Sequence, residues 1–407
     1  MLYQVLRWAG GVALRWYYRE VTIEGLEHVP ADAPLLVVSN HPNQLVDALL
    51  VGTSLQRDVL FTGKAILLDH PALAFLMWRL PFVPLRRAHD ERRKLEERQH
   101  AAGAARGGPP EHYDIVAPPA ERHHSDAATG AGVPPSPDPS RNAASFAAIH
   151  DALARRQAVL IFPEGISHHQ PQLAPIKTGA ARIALSARNE RGIHDLRIVP
   201  VGLNFEDKGA PRTRVLVRIG APIDVDAWRP APGEGAVDGL TRDIDEAMRA
   251  VTLNFATDAE RARVVGAARL LSGLFAPVTT VAYTDVSLAA EHDVALRADR
   301  VRRAATAHGD AEPALRARVD RFADRLDALA ETLVAYRMPV TDLELDTGTG
   351  PGARFVLREG TRALLAAPLA LWGRINHWLP VRLALLLGRR TSRTPEDPAM
   401  HTIVAGL

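Results

Sequence analysis

The feature that most limits what this chain can fold into is residues 35–52, LLVVSNHPNQLVDALLVG. Four consecutive apolar residues, Leu35, Leu36, Val37 and Val38, run into a polar turn at 39–44, and a helical pattern opens near Leu45. An unbroken apolar run, rather than an alternating one, suits a parallel strand covered on both faces. Just past its end stand His41 and Asp47, the two side chains of the stretch that can do chemistry together. In open α/β sheets, the crevice beyond the carboxyl ends of the strands is where ligands bind.

The same punctuation recurs. Residues 21–25, 57–62, 158–162, 196–204 and 214–220 read as further strands, with helices at 71–80, 146–156 and from 177 to about 188 between them. Such alternation predicts an α/β fold, a mainly parallel sheet with flanking helices, over residues 21–230. It is interrupted at about 95–141 by a stretch rich in Gly, Pro, Ala and Ser, whose low apolar content predicts a disordered insertion. His123 and His124 lie inside it without partners at ligand spacing, so no metal site is assigned. Beyond Pro232 the periodicity becomes helical at 240–257, 259–275, 291–307 and 312–336. These predict an α-helical C-terminal region, an accessory domain over 236–350 with no catalytic constellation of its own.

No stretch reaches the roughly 20 apolar residues needed to span a bilayer as a helix, and the N-terminus lacks a signal-peptide cleavage pattern. Membrane contact is therefore expected at the surface or through a partner. Residues 1–20 carry Trp8, Trp16 and Tyr17 with Arg7, Arg15 and Arg19, and no acid before Glu20. That pattern suits a helix lying in a lipid interface, and equally a first helix packed on the domain. In the final segment, 351–407, apolar runs are broken by Pro368, Arg374, His377, Pro380 and Arg382, which predicts two short amphipathic helices on a membrane. The 407-residue chain has no cysteine, which excludes disulfides, thiolate metal sites and a cysteine nucleophile. Its net charge of +2 indicates no nucleic-acid partner.

Four strand-end features group into one candidate site: Asn40-His41 with Asp47, Arg86-Arg87, the block 162–165 (Phe-Pro-Glu-Gly) with Ser167, and the strand around Pro200. A histidine held by a carboxylate is a general base for a hydroxyl. No G-x-S-x-G elbow exists in the sequence, so the base would act on the substrate's own hydroxyl without a covalent enzyme intermediate. Arg86 and Arg87 are either a solvated edge or an anion clamp. Lys177 and Arg182 flank a glycine-containing helix start, which suits a phosphate or is simply a basic helix face. A lone turn histidine is more often structural, and only the combination points to catalysis.

These blocks, in this order, resemble the glycerol-phosphate acyltransferase superfamily, which includes the lysophosphatidate acyltransferases of the PlsC type. The resemblance covers residues 21–223 and rests on 40–47, 82–87, 162–165 and 198–202. It implies that His41 deprotonates an acceptor hydroxyl, which attacks the thioester of an acyl-CoA or an acyl carrier protein (acyl-ACP). Asp47 would orient His41. Arg87, with Arg86 as the alternative, would hold the acceptor phosphate, and Asn40, Glu164 and Gly165 would line the site. No bound cofactor or metal is implied. The acceptor would be glycerol-3-phosphate or its 1-acyl derivative, and the enzyme peripheral or monotopic at the cytoplasmic face of the cell membrane. Another lysophospholipid or lipid alcohol as acceptor, and a catalytically silent lipid-binding protein, are the alternatives. Two departures stand out. Five residues separate His41 from Asp47 where the family usually has four, and Ser167 stands where many members have arginine. Pro42 biases His41 toward an extended backbone, which leaves room for the extra residue in the turn. Lys177 or Arg182 would replace the missing arginine.

Overall fold

The computed structural model describes residues 2–64, 81–85, 142–274, 286–307, 313–336 and 349–391. The expected helix at 71–80, Arg86 and Arg87, the insertion at 95–141 and the stretch 392–407 lie outside the described residues.

The centre is an eight-stranded sheet. Its strands are β1 (Glu20–Glu24), β2 (Leu35–Ser39), β3 (Val59–Lys64), β4 (Phe82–Leu85), β5 (Ala158–Ile161), β6 (Arg197–Phe205), β7 (Arg214–Ile219) and the short β8 (Ile223–Asp224). They run in the order β1-β7-β6-β2-β5-β3-β4, with β8 paired to β6. β2 thus occupies the middle, parallel to β5 and β6 on its two sides. The mainly parallel α/β class is confirmed. One departure is that β7 runs antiparallel to β6 and carries the parallel β1 beside it. Pro200 sits inside β6 between Ile198, whose partner is in β8, and Val201, whose partner is in β7. Its missing N–H therefore falls in the gap between two ladders.

The apolar run of β2 divides between two cores because side chains alternate across a strand. Leu36 and Val38 meet Ile149 and Leu153 of α3 (Ala143–Ala154), Ile183 of α4 (Gly179–Asn189) and Leu240, Ile244 and Met248 of α5 (Ala236–Val251). Leu35 and Val37 meet Leu14 and Tyr17 of α1 (Leu2–Tyr17) and Val46 and Leu50 of α2 (Leu45–Ser54). α5 ends where Thr252 turns extended (φ −126°, ψ 156°), short of the 257 expected from periodicity. Its close approach to the sheet needs Gly202, where a Cβ would lie 2.1 Å from the carbonyl oxygen of Val251. A boundary at 236 therefore cuts through this core: α5 belongs with the sheet.

The next three helices, α6 (Asp258–Leu274), α7 (Leu288–Ala307) and α8 (Pro313–Tyr336), pack together. α7 covers the β1–β7 end of the sheet, setting Leu288 and Ala289 on Leu216. Charge accompanies this apolar contact. Arg214, 3% exposed, donates to Glu206 at 3.1 Å and to Glu291 of α7 at 2.8 Å. Arg269 of α6 donates to the same Glu206 at 2.9 Å. A buried guanidinium is tolerated only with such partners.

α9 (Thr349–Thr391) is one continuous helix with Pro368 and Pro380 inside it. This corrects the expectation of two short helices. Each proline removes a single N–H, and the Ala- and Leu-rich stretches between carry the helix on. Leu364, Leu369, Trp372 and Ile375 are exposed along it. Among the described residues, no helix is long and apolar enough to cross a membrane.

Candidate active site

β2 ends at Ser39, and the chain passes through Asn40–Gln44 into the first turn of α2. Because one short turn joins them, His41 and Asp47 meet: His41 Nδ1 lies 3.0 Å from Asp47 Oδ2. The extra residue of the interval is accommodated at Gln44, whose φ of 49° and ψ of −124° place a non-glycine in glycine territory. Asp47 is fully buried, and His41 is 15% exposed at the site surface. The Asn43 N–H donates to Asp47 Oδ2 at 2.6 Å. Burial pushes the Asp47 carboxyl up from its ordinary range, opposed by His41, by that N–H and by the nearby charge of Lys208. With Nδ1–H directed at the carboxylate, the imidazole keeps Nε2 as its basic nitrogen.

The loop after β5 completes the arrangement. The Phe162 ring stacks on His41, with centroids 3.9 Å apart and planes 15° from parallel. Glu164 is 1% exposed. Its Oε1 accepts the backbone N–H of His41 at 3.0 Å, and its Oε2 accepts the Ala174 N–H at 2.8 Å and the Nε2–H of His168. Three donors occupy a buried carboxylate. Glu164 thus acts as a strut between the histidine turn and its own loop. Asn40 is similarly committed, donating to the Leu203 carbonyl at 3.0 Å and accepting its N–H at 2.7 Å, which staples the turn to β6.

Gly165 takes φ +72°, and a Cβ there would lie 2.6 Å from Lys177 Nζ. The fold therefore brings the expected cation Lys177 beside Gly165, while Arg182 is exposed one turn into α4. The Ser167 hydroxyl oxygen is buried. Three contributors were given no role from the sequence: Asn43, His168 and Lys208. Asn43 and Lys208 carry no local signal, since their roles arise from packing. His168 follows Glu164 by four residues, a spacing with no meaning outside a helix. Among the described residues, no group of three His, Asp or Glu side chains is placed to hold a metal ion.

A histidine held by a buried carboxylate at the strand ends of an α/β sheet has the chemistry to take a proton from a hydroxyl. Residues 20–204 match the acyltransferase family model. Over this domain the chain is similar to the glycerolipid acyltransferase superfamily. It is 36% identical over 135 residues to glycerol-3-phosphate O-acyltransferase 2 of Saccharomyces cerevisiae, covering 32% of this chain and 18% of that protein. Against glycerol-3-phosphate O-acyltransferase 1 of the same yeast it is 31% identical over 129 residues, covering 30% and 17%. An uncharacterized acyltransferase of Schizosaccharomyces pombe aligns more widely, 24% identical over 319 residues, covering 66% and 46%. In each case the alignment spans less than half of the relative's length. Among solved structures, the 1-acyl-sn-glycerophosphate acyltransferase PlsC of Thermotoga maritima aligns over 61% of this chain and 78% of that one, with 17% identity and a TM-score of 0.40.

Proposed function

We propose that this chain transfers a fatty acyl group from acyl-CoA or acyl-ACP to the hydroxyl of glycerol-3-phosphate or 1-acylglycerol-3-phosphate, as a step in phospholipid synthesis. The observation that carries the reading is the 3.0 Å contact of His41 Nδ1 with the buried Asp47 carboxylate. His41 Nε2 takes the proton of the acceptor hydroxyl as its oxygen attacks the thioester carbonyl carbon. The tetrahedral intermediate expels the thiolate, which receives that proton from the imidazolium. Asp47 stabilises the imidazolium in between. Lys177, at the start of α4 and beside Gly165, supplies positive charge for the acceptor phosphate. The names of the two yeast relatives favour glycerol-3-phosphate.

The enzyme works at the cytoplasmic face of the membrane as a peripheral or monotopic protein. α1 supports this: it buries Ala13, Leu14 and Tyr17 but exposes Val5, Val12, Trp16 and Trp8, the last by 69%. Aromatic residues with flanking Arg7 and Arg15 suit an interface. Trp8→Ser with Val12→Ser reduces co-sedimentation with liposomes; unchanged co-sedimentation rejects α1 as the contact.

The catalytic test is acyl transfer from labelled acyl-CoA, and from acyl-ACP, to glycerol-3-phosphate and to 1-acylglycerol-3-phosphate. His41→Ala removes the product with either acceptor. Transfer at the original rate in that variant rejects the mechanism.

A further inference from the structure

Between α1 and the end of α2 lies a cavity of about 220 Å³ that shares no residue with the candidate active site. Gln4, Arg7, Trp8, Gly11 and Arg15 of α1 line it, with Thr53 of α2 opposite. Steps of three and four along α1 put these five residues on one helix face. Both guanidinium groups are held in place. Arg7 donates to the Leu55 carbonyl at the carboxyl end of α2. Arg15 folds back along α1: its Nε donates to the Gly11 carbonyl at 3.3 Å, and one terminal nitrogen lies 3.5 Å from where a Gly11 Cβ would stand. Each of these contacts uses one donor of a group that carries five. No carboxylate lines the cavity; Asp58 lies beyond Gln4, whose amide donates to it at 2.8 Å. The Thr53 hydroxyl is spent on the Leu49 carbonyl at 2.7 Å. The cavity is therefore positive, with arginine donors and an open floor at Gly11.

We infer that this cavity binds the phosphate of an anionic membrane phospholipid, with Arg7 and Arg15 holding its oxygens. A guanidinium fork matches phosphate geometry, and paired arginines favour a head group of net negative charge. A phosphatidylcholine head brings the same phosphate with a cation attached, which two arginines disfavour. The volume lies below the roughly 300–1,000 Å³ of pockets that enclose drug-sized ligands, so it suits a head group rather than a whole lipid. Its lipid source follows from position. Trp8, a wall of the cavity, belongs with Val5, Val12 and Trp16 to the exposed apolar stripe of α1. A helix that seats this stripe in an interface carries the cavity to the depth of the head groups. The inference thus rests on the membrane reading of α1 and adds to it a choice of lipid.

The test is co-sedimentation of the full chain with vesicles of phosphatidylcholine alone, and of equal parts phosphatidylcholine and phosphatidylglycerol. Wild type prefers the mixed vesicles by about thirtyfold, roughly fivefold for each arginine. Arg7→Gln with Arg15→Gln reduces this preference to within about twofold. Two further variants separate a built site from diffuse attraction to a charged surface. Arg7→Lys with Arg15→Lys keeps the charge and loses the fork. Gly11→Leu keeps both arginines and the Arg7 bond to α2, suits a helix better than glycine, and fills the cavity. Each lowers the preference by at least about threefold; wild-type preference in both overturns the inference. Equal binding of wild type to the two vesicles also overturns it, while leaving α1 as a membrane contact. Binding to neither vesicle rejects the membrane reading and the lipid site together. Inorganic phosphate, compared with potassium chloride at equal ionic strength, is the arm for a soluble anion. If phosphate binds the chain through Arg7 and Arg15 while the vesicle preference is absent, the cavity takes a free phosphate and the lipid assignment falls.

Discussion

Replacing Glu164 by glutamine tests the strut directly. The carboxylate accepts from the backbone N–H of His41 on one oxygen, and from the Ala174 N–H and His168 Nε2–H on the other. A glutamine has only one accepting oxygen. Placed toward His41, it would aim its NH2 group at two donors. Flipped, it satisfies Ala174 and His168 and confronts only the His41 N–H. His168 cannot relieve the first arrangement by changing tautomer, because its Nδ1 already accepts the Gln170 N–H at 3.2 Å. The flipped form is therefore adopted. It leaves one buried N–H unpaired, about 1–3 kcal/mol, and weakens the two remaining hydrogen bonds from charged to neutral, about 1 kcal/mol in total. Glu164→Gln should lower unfolding stability in urea by roughly 2–4 kcal/mol. Because the released contact is the one on the histidine turn, kcat should fall by about 10²-fold, as a misplacement near 1 Å costs in other sites. The acceptor KM should barely move, since a side chain 1% exposed does not reach substrate. The refuting result is a large rise in acceptor KM with urea midpoint and kcat unchanged. Glu164 would then be the acceptor contact that the motif implied.

Asp47→Asn should lower kcat by about 10³–10⁴-fold, because an amide no longer selects the Nδ1–H tautomer or stabilises the imidazolium. The same change should raise stability at neutral pH. Burial raises the carboxyl in the folded state, so its stabilising contribution is present below the unfolded value near pH 4 and is lost as pH rises through the folded value. Urea unfolding should accordingly show the variant more stable than wild type at pH 7, with the gap closing near pH 4; a gap that widens toward acid refutes the sign. Gln44→Gly should gain about 1 kcal/mol in the same assay, since glycine accepts φ 49° and ψ −124° without strain. A loss of stability there would mean that the Gln44 side chain contributes more than its backbone costs.

Much of this molecule was legible in one dimension. The strand–turn–helix at 35–52 is specified by an apolar run, a turn and a change of period, all within 18 residues of chain. His41 and Asp47 could be paired on paper because a short turn leaves few ways to separate them. Their extra intervening residue departs from the family's usual spacing, and the structure accommodates it with one strained backbone at Gln44. Helices 291–307 and 312–336 were likewise visible, since each carries its own apolar stripe.

The roles of Glu164, Asn40 and α5 were not legible, for one shared reason. An F-P-E-G block announces a carboxylate near the site but not whether it faces ligand or protein. That depends on the His41 N–H, 123 residues away in sequence. Asn40 reads as a polar turn residue until Leu203, 163 residues on, takes both ends of its amide.

Local periodicity and turn chemistry act over a few residues, so the sequence by itself determined the parallel α/β core, the helical character of the C-terminal half and the histidine–aspartate pair. Tertiary packing decided which polar groups leave water together. It placed α5 against β6, docked α7 through Arg214, and buried the Asp47 carboxylate beside His41. The energy of a buried charge depends on neighbours that only the folded chain assembles.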